Sequence, residues 1–288
     1  MRDYFYQEFP PQAQTTPSRF LAQSPLVRGR FLLGLSGGID SSVATFLAVQ
    51  AVGIDSVLPV TMPSWKGDRS SQMAALVRSS LQFPENNQPY EIDLTEVVEG
   101  HMAALNVFSD PQLALGSTHA TQTKEQHMRS GNFGSRAKVA ILYDLQRAIR
   151  GRILGTSDRP EYCQGYSAKF GTPISYDFGV LDELYKVDIY EIARLLDVPP
   201  EIRDAPPSTG YFEGQTHEGE LGATIEEQDA LAYLLFEKQL SVAEVISDYK
   251  VDEKIVALMH KRFVVSQHKR DLMRHMRRVH LSYSSLLM

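Results

Sequence analysis

A single cysteine, Cys163, stands in 288 residues. That excludes an intramolecular disulfide framework and a cysteine-rich zinc site, and it fits a reducing compartment, so a cytoplasmic location is expected. No run approaches the roughly 18 consecutive apolar residues of a membrane span, and no membrane partner is expected. Residues 1–28 read as an irregular arm with Pro10, Pro11, Pro17 and Pro25, without the apolar core of a signal peptide. Positive charge is also in deficit. The 29 Lys and Arg against 35 Asp and Glu leave a net charge of −6, which argues against general nucleic-acid binding. The one basic concentration lies in residues 261–280, where Lys261, Arg262, Lys269, Arg270, Arg274, Arg277 and Arg278 face only Asp271. It reads as a solvated helical face, a flexible tail or a cover over a polyanionic site.

Ordinary globular material remains: 43% hydrophobic and 22% charged residues, with no internal repeat. The length allows one large α/β domain or two small ones. Apolar runs at 31–35, 56–62, 89–92 and 153–156 read as strands. Helical spacing over 40–52, 69–82, 95–107, 133–149 and 187–196 separates or follows them. Strands alternating with helices predict a doubly wound parallel sheet with helices on both faces. Further helices are expected at 199–203, 225–237, 241–247 and 251–262. Residues 172–184 read as a loop with a short strand. Residues 109–132 and 204–223 read as long polar loops, the first mobile.

The stretch Leu35-Ser36-Gly37-Gly38-Ile39-Asp40-Ser41-Ser42 joins the first strand to the first helix. Glycines let backbone N–H groups approach a phosphate, and a helix N-terminus favours negative charge. The Walker lysine is missing, and a carboxylate, Asp40, lies in the loop. A carboxylate beside a polyphosphate implies a bridging cation, and Mg2+ is the expected one. A second strand end supplies Gly155-Thr156 and, six residues after the glycine, Glu161. From opposite strand ends Asp40 and Glu161 could share one cation. Taken alone, each element also has a plain structural reading: a turn, a cap or a first-turn acid.

The Ser-Gly-Gly-x-Asp-Ser string resembles the pyrophosphatase loop of the ATP-pyrophosphatase superfamily. The segment from Gly155 through Thr156, Glu161, Tyr162, Gly165, Tyr166 and Lys169 to Gly171 resembles the central signature of NAD synthetases. Further similarities follow in order: Gly131-Asn132 through Ser135-Arg136, Asp182-Glu183-Leu184-Tyr185-Lys186, Pro206-Pro207-Ser208, Gly214-Gln215-Thr216 through Gly222, and His268-Lys269-Arg270. Together they cover roughly residues 30–270.

The resemblance implies an adenine nucleotide alpha hydrolase-like fold, with residues 29–270 as one synthetase domain between the arm and a basic tail from 271 to 288. It implies a C–N bond-forming ligase in which ATP and Mg2+ adenylate the carboxylate of nicotinic acid adenine dinucleotide, and ammonia then displaces AMP. Ser36, Gly37, Gly38, Asp40 and Ser41 would bind the pyrophosphate. Thr156, Lys186 and Ser208 would contact the nucleotide or its phosphates. Asp40 and Glu161 would hold the metal, with Asp40, Glu161 and Lys186 as the catalytic set. Arg136, Tyr166, Lys169, Asp177, His268 and Lys269 would line the acid side. About 30 residues precede the first strand, whereas glutamine-using members carry a long nitrilase-like domain there. Free ammonia is therefore the expected nitrogen donor, and a homodimer the expected assembly.

The pattern departs from the family at Thr172-Pro173, where an Asp-Gly pair is usual, and Asp177 matches the second aspartate only with a one-residue shift. An uncharged threonine and a rigid proline there alter the acid pocket, so amidation of a different carboxylic acid stands as the alternative. A non-catalytic nucleotide-binding relative is a further one.

Overall fold

Phe31–Gly34 is apolar throughout because, as β1, it lies at the centre of a sheet covered on both faces. The computed structural model describes residues 31–84, 90–108, 110, 122–206, 210–211 and 217–271. The other strands are β2 (Val57–Thr61), β3 (Tyr90–Glu91), β4 (Arg152–Gly155) and β5 (Phe178–Gly179). They pair in parallel in the order β3-β2-β1-β4-β5, with Leu32 opposite Leu58 on one side and Ile153 on the other. The order reverses between β1 and β4, and at such a switch point a crevice opens beyond the carboxyl ends of the strands.

The helices that follow are α1 (Ile39–Val52), α2 (Ser70–Leu81), α3 (Thr95–Leu105), α4 (Lys124–Ile149), α5 (Arg159–Gln164), α6 (Lys186–Leu195) and α7 (Pro200–Arg203). Beyond them lie α8 (His217–Leu221), α9 (Ile225–Ala232) running into a π-helical turn at Tyr233–Glu237, α10 (Val242–Tyr249), α11 (Glu253–Val265) and α12 (Gln267–Arg270). The helix α1 is buried nearly all round, with Val43, Ala44 and Phe46 packed with Leu33, Val57 and Ile189. On the opposite face α4 packs Leu142 with Val60, Met62 and Ile153. The last helices form their own apolar cluster around Leu231, Val245, Val256 and Met259. Among the described residues no helix is long and apolar enough to cross a membrane.

Two expectations are corrected. The polar loop expected over 109–132 is helical from Lys124, nine residues before the predicted start at Phe133. A capping box starts the helix there: Gln126 N donates to Thr123 Oγ1, and Thr123 N donates to Gln126 Oε1 at 2.8 Å. Within it Gly131 serves close packing rather than a turn. The Tyr211 ring occupies the space that a Cβ on Gly131 would fill. Within the loop expected over 204–223, His217–Leu221 forms a short helix. Residues 1–28, Ser208 and the tail beyond Asp271 lie outside the described residues.

Candidate active site

Two strand ends build the site. After β1, Gly37 adopts φ +76°, and a Cβ there would lie 2.2 Å from Met73 Cβ, so the turn admits only glycine without a shift of α2. Gly38 then caps α1 in an extended conformation, and no side chain caps that helix. Ser36 and Ser41 close the loop on itself. Their hydroxyls are 3.1 Å apart, Ser36 N donates to Ser41 Oγ, and Ser41 Oγ donates to Gly38 O. Gly38 N donates to Ser36 Oγ, so the loop offers an anion its remaining N–H groups at the start of α1 and the helix dipole.

The charges converge beside it. Lys186, at the start of α6, places Nζ 2.6 Å from Asp40 Oδ1, 2.7 Å from Asp158 Oδ2 and 4.0 Å from Glu161 Oε1. Its side chain is only 6% exposed and that of Asp158 is fully buried. Burial works to lower the Lys186 pKa, but Asp158, Asp40 and Glu161 outweigh it and hold the ammonium charged. Burial, and then the neighbouring charge of Asp158, push the Glu161 carboxyl well above its usual range. Asp158 also caps α5, accepting from Glu161 N at 2.7 Å. Asp229, from α9, accepts from Val187 N at 2.8 Å and so fixes the first turn of α6. Burial raises its pKa to about 6.

Three carboxylates around one ammonium leave an excess of two negative charges when all are ionised. Mg2+ is held by one or two carboxylates plus phosphate and water oxygens. Asp40 and Glu161, which both face the cavity, are a donor set of that kind.

A cavity of about 180 Å3 opens over the strand ends. Ser36, Gly38, Asp40, Ser41, Thr156, Glu161 and Tyr166 line it, so the structure brings together most of the nucleotide side expected from sequence. The acid side is brought together less. Only Tyr166 of that set lines the cavity, and its hydroxyl donates to Glu220 Oε2 at 2.5 Å. Arg136 is exposed and donates from Nε to Lys169 O, while the Lys169 ammonium lies over the Phe170 ring. Lys269 Nζ donates to the carbonyls of Gly165 and Ser167 at 2.6 Å each. Asp177 accepts from Ile153 N and Gln146 Nε2, which ties it to β4 instead of the cavity. His268 is exposed on α12. Arg136, Lys169 and Lys269 thus gather around the 165–171 turn, outside the cavity.

The basic stretch expected as a surface face, tail or cover is partly internal. Arg262 donates to the carbonyls of Leu221 and Glu220, and Arg270 to that of Cys163.

Sequence reasoning missed Asp158, Ser135, Lys138 and Tyr211. The signal for Asp158 was legible, because Asp-x-x-Glu before a helix is a capping pattern. Gly131, Ser135, Lys138 and Leu142 line the cavity at helical spacing, but assigning 109–132 to a loop cut that face in two. Ser135 Oγ donates to Thr172 O at 2.9 Å, which holds the Thr172-Pro173 segment in the cavity wall. Nothing local in the sequence marks Tyr211.

Comparison with known proteins identifies a family. The family model described as NAD synthase matches residues 26–273. An NH3-dependent NAD+ synthetase of Pyrococcus furiosus is 31% identical over 242 residues, spanning 84% of this chain and 85% of its own. Among solved structures, NMN synthetase from Francisella tularensis superposes with a TM-score of 0.70 at 26% identity, over 96% of this chain and 99% of that one. The NH3-dependent NAD synthetase of Campylobacter jejuni superposes at 0.64 and 20% identity, over 90% and 94%, which speaks for a shared fold.

Proposed function

Because this chain belongs to the NAD synthase family, we infer that it is a ligase that forms an amide from ATP, ammonia and the carboxylate of nicotinic acid adenine dinucleotide. The observation that carries this reading is the shared cavity. The phosphate loop after β1 and the Thr156–Glu161 turn after β4 open on one space, with Asp40 and Glu161 both in its wall. Residues 29–270 act as one synthetase domain in this reading, in a soluble, cytoplasmic protein.

The chemistry follows from the leaving groups. A carboxylate is a poor acyl electrophile until its oxygen can depart. The acid's oxygen forms a bond to the α-phosphorus of ATP, and the bond from that phosphorus to the bridging oxygen of pyrophosphate breaks. Ammonia then bonds to the acyl carbon and AMP leaves, with one proton lost from nitrogen. No covalent enzyme intermediate is needed, so the protein's contribution is positioning and charge neutralisation. The N–H groups around Ser36, Gly37, Gly38 and Ser41 hold the departing pyrophosphate. Thr156, Ser208 and Lys186 serve the nucleotide, and Lys186 also keeps Asp40 in place. Asp40 and Glu161 hold Mg2+, which supplies positive charge to the phosphates. Tyr166 serves the acid from the cavity wall, and Arg136, Lys169 and Lys269, gathered around the 165–171 turn, serve it from outside the cavity.

A second reading keeps the chemistry and shortens the acid to the mononucleotide whose amide is NMN. The likeness to the Francisella NMN synthetase over nearly the whole of both chains favours it, as does the Thr172-Pro173 segment in the cavity wall. Pyrophosphate release and amide formation are to be measured with ammonium and each nicotinate nucleotide in turn. Turnover of the dinucleotide supports the first reading. Turnover of the mononucleotide alone replaces it with the second, and turnover of neither ends both. A homodimer belongs to the same reading. Exposed Val97, Val107 and Phe108 in and just after α3 offer it apolar surface, and light scattering would detect a monomer instead.

A further inference from the structure

The phosphate loop carries no lysine, so a cation for the triphosphate has to come from another element. Lys138 is the one basic residue among the described residues lining the cavity. It lies on α4, on the face shared with Gly131, Ser135 and Leu142, and lines the same cavity as Asp40 and Glu161. Three other basic groups of this region already have protein partners. Lys186 is held by Asp40 and Asp158, Lys269 by two carbonyls, and Arg262 by two more. Lys138 itself makes no hydrogen bond or ion pair with the described residues. Its nearest influence is Asp68, whose two carboxylate oxygens already accept from Ser64 N and Ser70 N. Burial disfavours the Lys138 ammonium and Asp68 only partly offsets this. A half-desolvated ammonium without a fixed partner costs free energy that an arriving anion returns. The cavity is small, so an anion seated on the amides of the 36–41 loop shares it with the Lys138 side chain.

We propose that Lys138 is a further cationic contact for ATP, besides Lys186, donating from Nζ to a phosphoryl oxygen in the cavity it shares with the glycine loop. This rests on the synthetase reading, in that it takes ATP as the occupant of the cavity. In this arrangement α4 replaces the lysine that the loop lacks. The loop binds the anion through neutral amides and Lys138 binds it directly, while Asp40 and Glu161 would hold the divalent cation that supplies further positive charge.

The test uses the full chain with Lys138→Met and Lys138→Arg. MgATP binding is measured by titration calorimetry without the acid, and KM for ATP, KM for the acid and kcat are measured separately. Loss of a charge-assisted contact should weaken MgATP binding by roughly tenfold or more, with a matching rise in KM for ATP. KM for the acid should stay within about twofold, and Lys138→Arg should recover most of the loss. Unchanged ATP affinity in the Met variant would overturn the proposal. So would an effect confined to the acid, or an arginine variant as poor as methionine. Should Lys138→Met fail to fold by circular dichroism, Lys138→Gln is titrated in its place against the same criteria. A wild-type protein that amidates no nicotinate nucleotide would instead sink the synthetase reading.

Discussion

Lys186 Nζ lies 2.6 Å from Asp40 Oδ1, joining the first turn of α6 to the first turn of α1 across 146 residues of chain. The same ammonium meets Asp158, so one lysine ties the two strand-end turns of the site together. This is a buried pair with a third carboxylate beside it. Its removal leaves charge without compensation, where an exposed pair would cost little.

Lys186→Met is accordingly expected to destabilise the fold by about 3–5 kcal/mol, because Asp158 remains buried and unpaired. Urea denaturation measures this. Asp158→Asn in the same background should recover part of the loss, since it removes the buried charge and keeps an acceptor for Glu161 N. A Lys186→Met protein as stable as wild type would show that the cluster is held by other contacts.

Asp40→Asn separates structure from chemistry. The amide retains an acceptor for Lys186 but presents no carboxylate to a divalent cation. Pyrophosphate release should fall by roughly two orders of magnitude, in the range seen on removing one electrostatic contact to a transition state. Stability should change little. Unaltered turnover would exclude Asp40 from metal binding.

Gly37→Ala should strain the phosphate loop twice, through φ +76° and through contact with Met73. A non-glycine residue held in such a conformation costs of order 1–3 kcal/mol. The expected outcome is a lower melting temperature together with weaker MgATP binding. Gly53→Ala is the control, with φ +86° but nothing within 4 Å of its Cβ. It should lose stability alone.

Asp229 gives a pH dependence whose sign is fixed. Its pKa rises from 3.8 to about 6 on folding because burial disfavours the charged carboxylate. The folded state therefore holds the proton more tightly than the unfolded chain. The stabilisation is fully present below the unfolded value and is lost as pH rises through about 6. Asp229→Asn should flatten the stability profile between pH 4 and 6, as followed by denaturant midpoints. An unchanged profile would assign that dependence to other groups.

Cys163 is buried, and its thiol is pushed up to about 11, chiefly by that burial. Thiolate is the reactive form, so alkylation at pH 8 should be slow in the folded protein and rapid in urea. Fast labelling of the native state would show that α5 opens readily.

Much of the fold was legible because parallel strands buried on both faces read as short apolar runs, and the runs at 31–35, 56–62 and 153–156 alternate with helices of clear spacing. The phosphate loop was legible for a related reason. Its geometry is local, since a glycine turn between strand and helix fixes where Ser36, Gly38 and Ser41 point. The sequence by itself therefore determined the alternating order, the loop, and the placing of Asp40 and Glu161 just beyond two strand ends. Tertiary structure decided what surrounds them. It brought Lys186 and the buried Asp158 between those acids, turned Asp177 and Lys269 to backbone partners, and placed Lys138 in the cavity through a helix whose polar start reads as a loop. Ion pairing, burial and competition for backbone carbonyls depend on neighbours distant in the chain, and residue type and spacing do not encode them.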